Sequence, residues 1–267
     1  VLKDITLGQY FPGKTFIHRL DPRTKLIITV LYIVTLFTAH WLVSYALVLA
    51  FLLMCLRVAK IPLVTIGKSL KPLVIIIILT AVLNMFYTPG EELVSFWRIT
   101  ITKEGVFNAV KMVLRITMLI TGTFMLTYTT SPIMLTDGLE MLLNPLKKIK
   151  VPVHELAMMM SIALRFIPTL IEETDKIISA QKARGADFES GNIMQRAKAL
   201  IPILVPLFIS SFRRADELAV AMECRCYHGG EGRTRMRILK FSANDWIALG
   251  IGVALLVTVI VLKVFGL

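Results

Sequence analysis

The apolar residues of this chain are gathered into long blocks, and blocks of that length dictate the solvent in which it folds. Leu26 to Ala39 is apolar or hydroxyl-bearing throughout, and Trp41 to Leu56 follows after His40 alone. Pro72 to Phe86 is rich in Ile, Gly105 to Tyr128 makes a fourth block, and Trp246 to Phe265 carries Lys263 as its one charge. At ~1.5 Å per residue, a helix of ~20 residues crosses a ~30 Å hydrocarbon core. The composition agrees: of 267 residues, 56% are hydrophobic and 18% charged, against ~45–50% and ~25% in an ordinary soluble domain. A disordered chain is excluded, and the fold class expected is all-α, a polytopic membrane protein with about five transmembrane helices.

The net charge of +12 would point to nucleic acid in a soluble chain, but here Lys and Arg sort between loops. Five lie in the first 25 residues, four in Arg57 to Lys71 and sixteen in Ser131 to Phe241, whereas Tyr87 to Glu104 has two against three Glu. Cytoplasmic loops collect this excess. The expected partner is therefore the lipid bilayer and not nucleic acid, in a cell-membrane protein with a cytoplasmic N-terminus and, after five crossings, an outside C-terminus. Tyr87 to Glu104, with Pro89-Gly90 and the Phe96-Trp97 pair, reads as an outer loop with interfacial anchors. The expected organisation is an N-terminal membrane domain of four spans over 1–130, a cytoplasmic region over 131–241, and a C-terminal transmembrane helix over 242–267. No cleavable signal peptide is expected, because Val1 to Arg23 lacks an apolar run.

The cytoplasmic region is not an ordinary soluble domain. Leu156 to Leu164 and Ala199 to Phe212 are strongly apolar, the second containing Pro202 and Pro206, and both lead into charged helical sequence. Each reads as a long helix, greasy in its first half and amphipathic in its second, with lipid or a partner covering the greasy part. Small residues at Ala157, Ser161, Ser211, Ala215 and Ala219 allow close helix approach.

Several motifs have ordinary explanations. Gly8-Gln-Tyr-Phe-Pro-Gly13-Lys14-Thr15 spells a phosphate loop, but no strand precedes it and no α/β sheet surrounds it. Cys224-Arg225-Cys226-Tyr227-His228 holds three possible metal ligands, yet residues two apart on a helix diverge and a fourth ligand is missing nearby. The three cysteines Cys55, Cys224 and Cys226 do not make a disulfide framework. His18, His40 and His154 stand outside any catalytic constellation, so no catalytic or metal residue is expected. Arg115 is a charge at membrane depth, to be accounted for by snorkelling, by pairing in the bundle, or by function. With Asn84 and Lys111 it would line the path of a self-contained membrane permease or channel, the alternative reading.

The strongest signal is a repeated helix end. Ala183-Arg184-Gly185 and Cys224-Arg225-Cys226 stand 41 positions apart, with Ala180 and Ala221 each four residues before the Arg. Either one alone is an ordinary terminus, a cation at the negative end of the helix dipole followed by Gly. Two such ends suggest paired docking. At the same offset, Glu172 and Glu173 correspond to Arg213 and Arg214, acid opposite base at equivalent heights above the ends.

With these triplets, the opening from Gly8 through His18-Arg-Leu-Asp21-Pro22-Arg23-Thr-Lys25, and Gly229-Gly-Glu-Gly-Arg233-Thr234, nearly the whole chain resembles EcfT, the transmembrane coupling component of energy-coupling factor (ECF) transporters. The resemblance implies a non-catalytic subunit of an ATP-driven vitamin importer. Its partners are two ABC ATPase subunits and a vitamin-binding S component. No cofactor is bound directly, ATP and Mg belonging to the ATPases. ATPase docking falls on Ala183, Arg184, Gly185, Cys224, Arg225 and Cys226. Contact with the S component is expected on the apolar halves, at Met158, Met159, Met160 and Leu164 and at Leu200, Leu204, Leu207 and Phe208. The second triplet departs from Ala-Arg-Gly, and its helix is expected to run on to Gly229.

Overall fold

A computed structural model describes residues 10–96, 99–186, 188, 192–229 and 239–265. The chain divides into two compact units, one containing 8–139 with 239–267 and the other containing 140–238. Trp97 of the expected aromatic anchor and most of the segment after Gly229 lie outside the described residues.

The first unit opens with α1 (Phe16–Arg19) and α2 (Pro22–Thr38), then α3 (Leu42–Ala59), a short α4 (Leu63–Leu70), a 3-10 turn over Lys71–Leu73, and α5 (Val74–Tyr87). A hairpin of β1 (Glu92–Phe96) and β2 (Ile99–Thr102), antiparallel with Phe96 opposite Ile99, leads into α6 (Lys103–Thr129) and α7 (Pro132–Leu143). Each helix begins where its sequence permits. Asp21 caps α2 by accepting from the Arg23 amide, with Pro22 at the first helical position, and Thr102 caps α6 by accepting from the Gly105 amide. Gly105 sits where a Cβ would meet the Met85 carbonyl oxygen at 2.7 Å, so α5 and α6 approach closely there.

The second unit holds a 3-10 turn over Asn144–Ile149, then two 31-residue helices, α8 (Val153–Ala183) and α9 (Ile193–Glu223). Asn192 and Gln195 form a reciprocal capping box at the start of α9. The chain ends on α10 (Ala243–Phe265), which packs in the first unit against α2 and α3.

Among the described residues, five helical stretches are long and apolar enough to cross a membrane: Leu42–Ala59, Leu63–Tyr87, Lys103–Thr129, Val153–Ala183 and Ala243–Phe265. Membership differs from the expected set in two places. The helix over the first apolar block, α2, has 17 residues, about 26 Å of rise. In its place stands α8, at a mean hydropathy of 1.3 against 2.7 for α10, with its apolar residues concentrated in its first half. The protein is an all-α multi-pass membrane protein carrying one short hairpin.

The core of the first unit is built from Tyr32, Leu36, Tyr45, Val48, Leu52, Met118, Tyr128 and Val259. Its aromatic hydroxyls are satisfied: Tyr32 donates to the Met118 carbonyl at 3.0 Å, and Tyr128 shares a hydrogen bond with Ser69. Gly122 makes room, since a Cβ there would press on the Tyr32 ring.

The N-terminal opening folds as a strap. Phe11 donates its amide to the Tyr128 carbonyl at 3.0 Å, and its ring meets Tyr128 edge-on. His18 bonds Thr15 Oγ1 through Nδ1 (2.6 Å) and the Phe11 carbonyl through Nε2 (3.0 Å), a pattern a neutral ring completes with Nε2–H donating. Burial pushes its pKa below the ordinary value. Gly13 lies over that ring, where a Cβ would come within 2.7 Å. Gly13 and Thr15 of the phosphate-loop spelling are thus engaged in packing on His18, Lys14 is exposed, and Gly8 lies outside the described residues. Beyond it, Lys25 donates to the His18 and Thr129 carbonyls, joining α1, α2 and α6. Asp245, 1% exposed, accepts from the amides of Asp21 and Ser242 and from the Ser242 hydroxyl at 2.8–2.9 Å. Arg23 brackets the same corner, chelating Asp21, donating to the Leu239 carbonyl at 3.1 Å and lying over the Phe241 ring at 4.1 Å. This latch fixes α10 to the start of α2.

Candidate functional site: the ends of two long helices

The two triplets adopt one backbone geometry. At the end of α8, Gly185 donates to Lys182 O and Ala186 to Gln181 O, both at 3.0 Å. At the end of α9, Cys226 donates to Glu223 O at 2.8 Å and Tyr227 to Met222 O at 3.0 Å. Every donor and acceptor is matched at the 41-residue offset, and both ends are Schellman turns. The residue after each Arg is left-handed, Gly185 at φ 85° and Cys226 at φ 56°. The second helix therefore stops at its triplet and does not run on to Gly229. The turn's own hydrogen bonds impose the left-handed conformation on a cysteine, at a cost of about 1 kcal/mol. Ala183, Arg184, Gly185, Cys224, Arg225 and Cys226 are all exposed, so both guanidinium groups project from a rigid, fully hydrogen-bonded end. Among the described residues, Cys224, Cys226 and His228 are not gathered with one another or with other His, Cys, Asp or Glu side chains into a group of three or more.

Two contacts fix how the helices meet. Arg214 Nη2 donates to Glu173 Oε2 at 2.6 Å, and Gln181 Nε2 donates to the Pro202 carbonyl at 3.4 Å. Advancing along α8 thus means retreating along α9, so the two run antiparallel. The expected acid–base match is present at Glu173 and Arg214, but parallel heights are not: the ends leave the contact zone in opposite directions, up to about 40 Å apart at ~1.5 Å per residue. The Gln181 bond has a specific cause. Pro206 has no N–H, so the Pro202 carbonyl four residues earlier loses its helical donor, and the Gln181 carboxamide replaces it.

The apolar halves are bare. Val153 and Ala157 are the buried residues of α8, and Ile203 is the one buried residue of α9 among those described. Met159, Met160, Leu200, Leu204 and Phe208 are exposed, Phe208 by 62%, while Met158, Leu164 and Leu207 are half-buried. Phe208 stacks on Phe212, itself 70% exposed. Helix surfaces of this composition require an apolar cover.

The polar residues at membrane depth are engaged separately. Arg115 donates to Tyr45 Oη at 2.8 Å and lies over the rings of Phe37 and Tyr45, Lys111 lies over Phe107, and the Asn84 amide returns to the Thr80 carbonyl of its own helix. Arg115 is thus held in the bundle by a neutral hydroxyl and two aromatic rings. Sequence reasoning did not find the pair of His154 Nδ1 with Glu140 Oε1 at 2.9 Å; a separation of 14 residues across a 3-10 turn leaves no periodic signal.

Comparison with known proteins places this architecture. Residues 13–236 match the CbiQ family, described as cobalt transport protein. The chain is 58% identical over 250 residues to the energy-coupling factor transporter transmembrane protein EcfT of Clostridium kluyveri, covering 93% of each chain. It is 58% identical over 245 residues to that of Acidaminococcus fermentans (92% and 91% covered), and 51% identical over 263 residues to that of Ruminiclostridium cellulolyticum (98% of each). With a family match across most of its length and relatives more than half identical from end to end, the chain belongs to the CbiQ family, among the EcfT transmembrane proteins of energy-coupling factor transporters.

Proposed function

We propose that this chain is the non-catalytic scaffold of an ECF importer, on which two cytoplasmic ATPase subunits dock at Arg184 and Arg225 and drive a vitamin-binding S component held against the apolar halves of α8 and α9. The observation that carries the reading is the pair of equivalent, exposed, Arg-bearing Schellman ends pointing opposite ways. One repeated geometry facing two directions suits two similar subunits side by side. Each guanidinium offers bidentate, charge-assisted hydrogen bonds to carboxylates or carbonyls of an ATPase. ATP and Mg belong to those subunits. The bare methionine-rich and aromatic surface suits a partner that tilts, since Met side chains repack at low cost. In this reading the N-terminus, the Arg57 to Lys71 loop and both triplets are cytoplasmic and the β-hairpin is outside.

Arg184→Ala and Arg225→Ala test it, each truncation costing about 2–5 kcal/mol if the group is desolvated against a partner. Either should reduce the ATPase recovered with the purified chain, or the uptake obtained per ATP hydrolysed, while membrane insertion is unchanged. Wild-type complex yield and uptake in the double variant would end the reading.

A further inference from the structure

Three cavities of the first unit converge on the C-terminal end of α3, and they differ in chemistry. One, of about 180 Å³, is an apolar slot between α1, α2, α3, α6 and α10, walled by residues such as Ile28, Phe51, Met125 and Ile251. Its one cation, Lys25, is already spent on two carbonyls. A second apolar slot, of about 500 Å³, runs along α3 past Ala50, Leu53 and Leu56. Between them a bowl of about 570 Å³ is formed by the N-terminal strap and the turn after α3. Val58 lines all three, Phe16 joins the first slot to the bowl, and Lys60 joins the bowl to the second slot.

Charge is gathered where the slots meet. Lys14 and Lys60 line the bowl, and Arg57 and Lys60 line the second slot. Among the described residues, none of these three side chains has a hydrogen bond or ion pair, all three are exposed, and no Asp or Glu lines any of the cavities. His18, at the floor of the bowl, is held by Thr15 and Phe11 and contributes shape. The geometry points to a binding site for one anionic diacyl phospholipid, its phosphate in the bowl among Lys14, Arg57 and Lys60, one acyl chain along the second slot and the headgroup-proximal part of the other in the first, which is little larger than a benzene-sized cavity. Two apolar arms diverging from an uncompensated basic bowl, at the level where α3 leaves the hydrocarbon, are complementary to that amphiphile in both charge and shape. A small free anion is a poorer fit. The bowl lies at the C-terminal end of a helix, where the dipole disfavours negative charge, so retention needs the hydrocarbon anchors as well.

Native mass spectrometry of the purified transporter decides, with phosphatidylglycerol and phosphatidylcholine of identical acyl chains as probes and inorganic phosphate as competitor. The expected result is one phosphatidylglycerol retained at a lipid concentration at least about tenfold lower than phosphatidylcholine, with phosphate unable to displace it. Each cation near the headgroup contributes roughly fivefold, so Lys14→Gln with Lys60→Gln should abolish the preference. Val58→Trp, which fills the junction and removes no charge, should weaken retention of both lipids. Equal retention of the two lipids by the unaltered chain would overturn the proposal. Displacement by phosphate would make the bowl a small-anion site, and a preference surviving both variants, with an acidic protein lost from the complex instead, would make it a protein contact. Unchanged elution in size exclusion separates these outcomes from misfolding.

Discussion

Cys226 sits where its counterpart in the first triplet is glycine, and the two positions make a matched experiment. A Cβ added at Gly185 meets no atom within 4 Å, so Gly185→Ala should cost only the left-handed conformational penalty, about 1 kcal/mol. Cys226→Gly should recover a similar amount. Hydrogen exchange reads both: protection of the Cys226 and Tyr227 amides should rise about fivefold in Cys226→Gly, and that of Gly185 and Ala186 should fall by a similar factor in Gly185→Ala. Exchange unchanged in both variants would show that these ends are not closed turns. The triplets were legible in the sequence because Arg and its small neighbours recur at one spacing. Where the second helix stops was not, since cysteine rarely signals a left-handed turn and Gly229-Gly230 offered a more conventional terminator.

At the scale of elements, the ion pair between α8 and α9 and the latch at α10 respond differently to mutation. Glu173 and Arg214 are partly solvated, their side chains 22% and 36% exposed, so the pair is worth about 0–1 kcal/mol. Its role is geometric. Glu173→Arg should impair uptake by opposing Arg214, and adding Arg214→Glu should restore part of it; strictly additive losses would show that the two do not meet in the working transporter. Asp245 is buried and accepts from three donors. In Asp245→Asn an amide N–H₂ would face one of them, a loss of about 2–3 kcal/mol, and the thermal unfolding midpoint in detergent should drop measurably. An unchanged midpoint would mean that α10 is held by its apolar packing alone. The 41-residue offset found the Glu173–Arg214 pair, but a repeat in sequence carries no information about direction, and the antiparallel sense came only with the Gln181 contact. The latch was beyond reach for another reason: Asp21 and Asp245 are 224 residues apart, and local pattern does not encode such a pairing.

For the molecule as a whole, membrane character was legible because apolar block length is set by bilayer thickness, and the long helices because their composition changes midway. The span count was less secure. A 17-residue α2 and a half-greasy 31-residue α8 both lie near the length and composition that distinguish a span from a buried or partner-covered helix. Labelling settles the orientation. With the three native cysteines replaced by serine, a cysteine at Glu91 should react with an impermeant maleimide from outside intact cells, and one at Lys148 only after the membrane is opened. Outside reactivity at Lys148 would overturn the orientation and the docking proposal together. Within the second unit, the Gln181 bond to Pro202 carries a mechanical consequence. Gln181 stands three residues before Arg184, on a stretch free of proline, and it meets α9 at the carbonyl that Pro206 leaves without a helical donor, one of the two points where a proline interrupts that helix's ladder. Under the proposed docking, a pull on the tip of α8 would be delivered to the proline-interrupted stretch of α9, so that force entering at Arg184 would emerge as bending in the bare half of that helix.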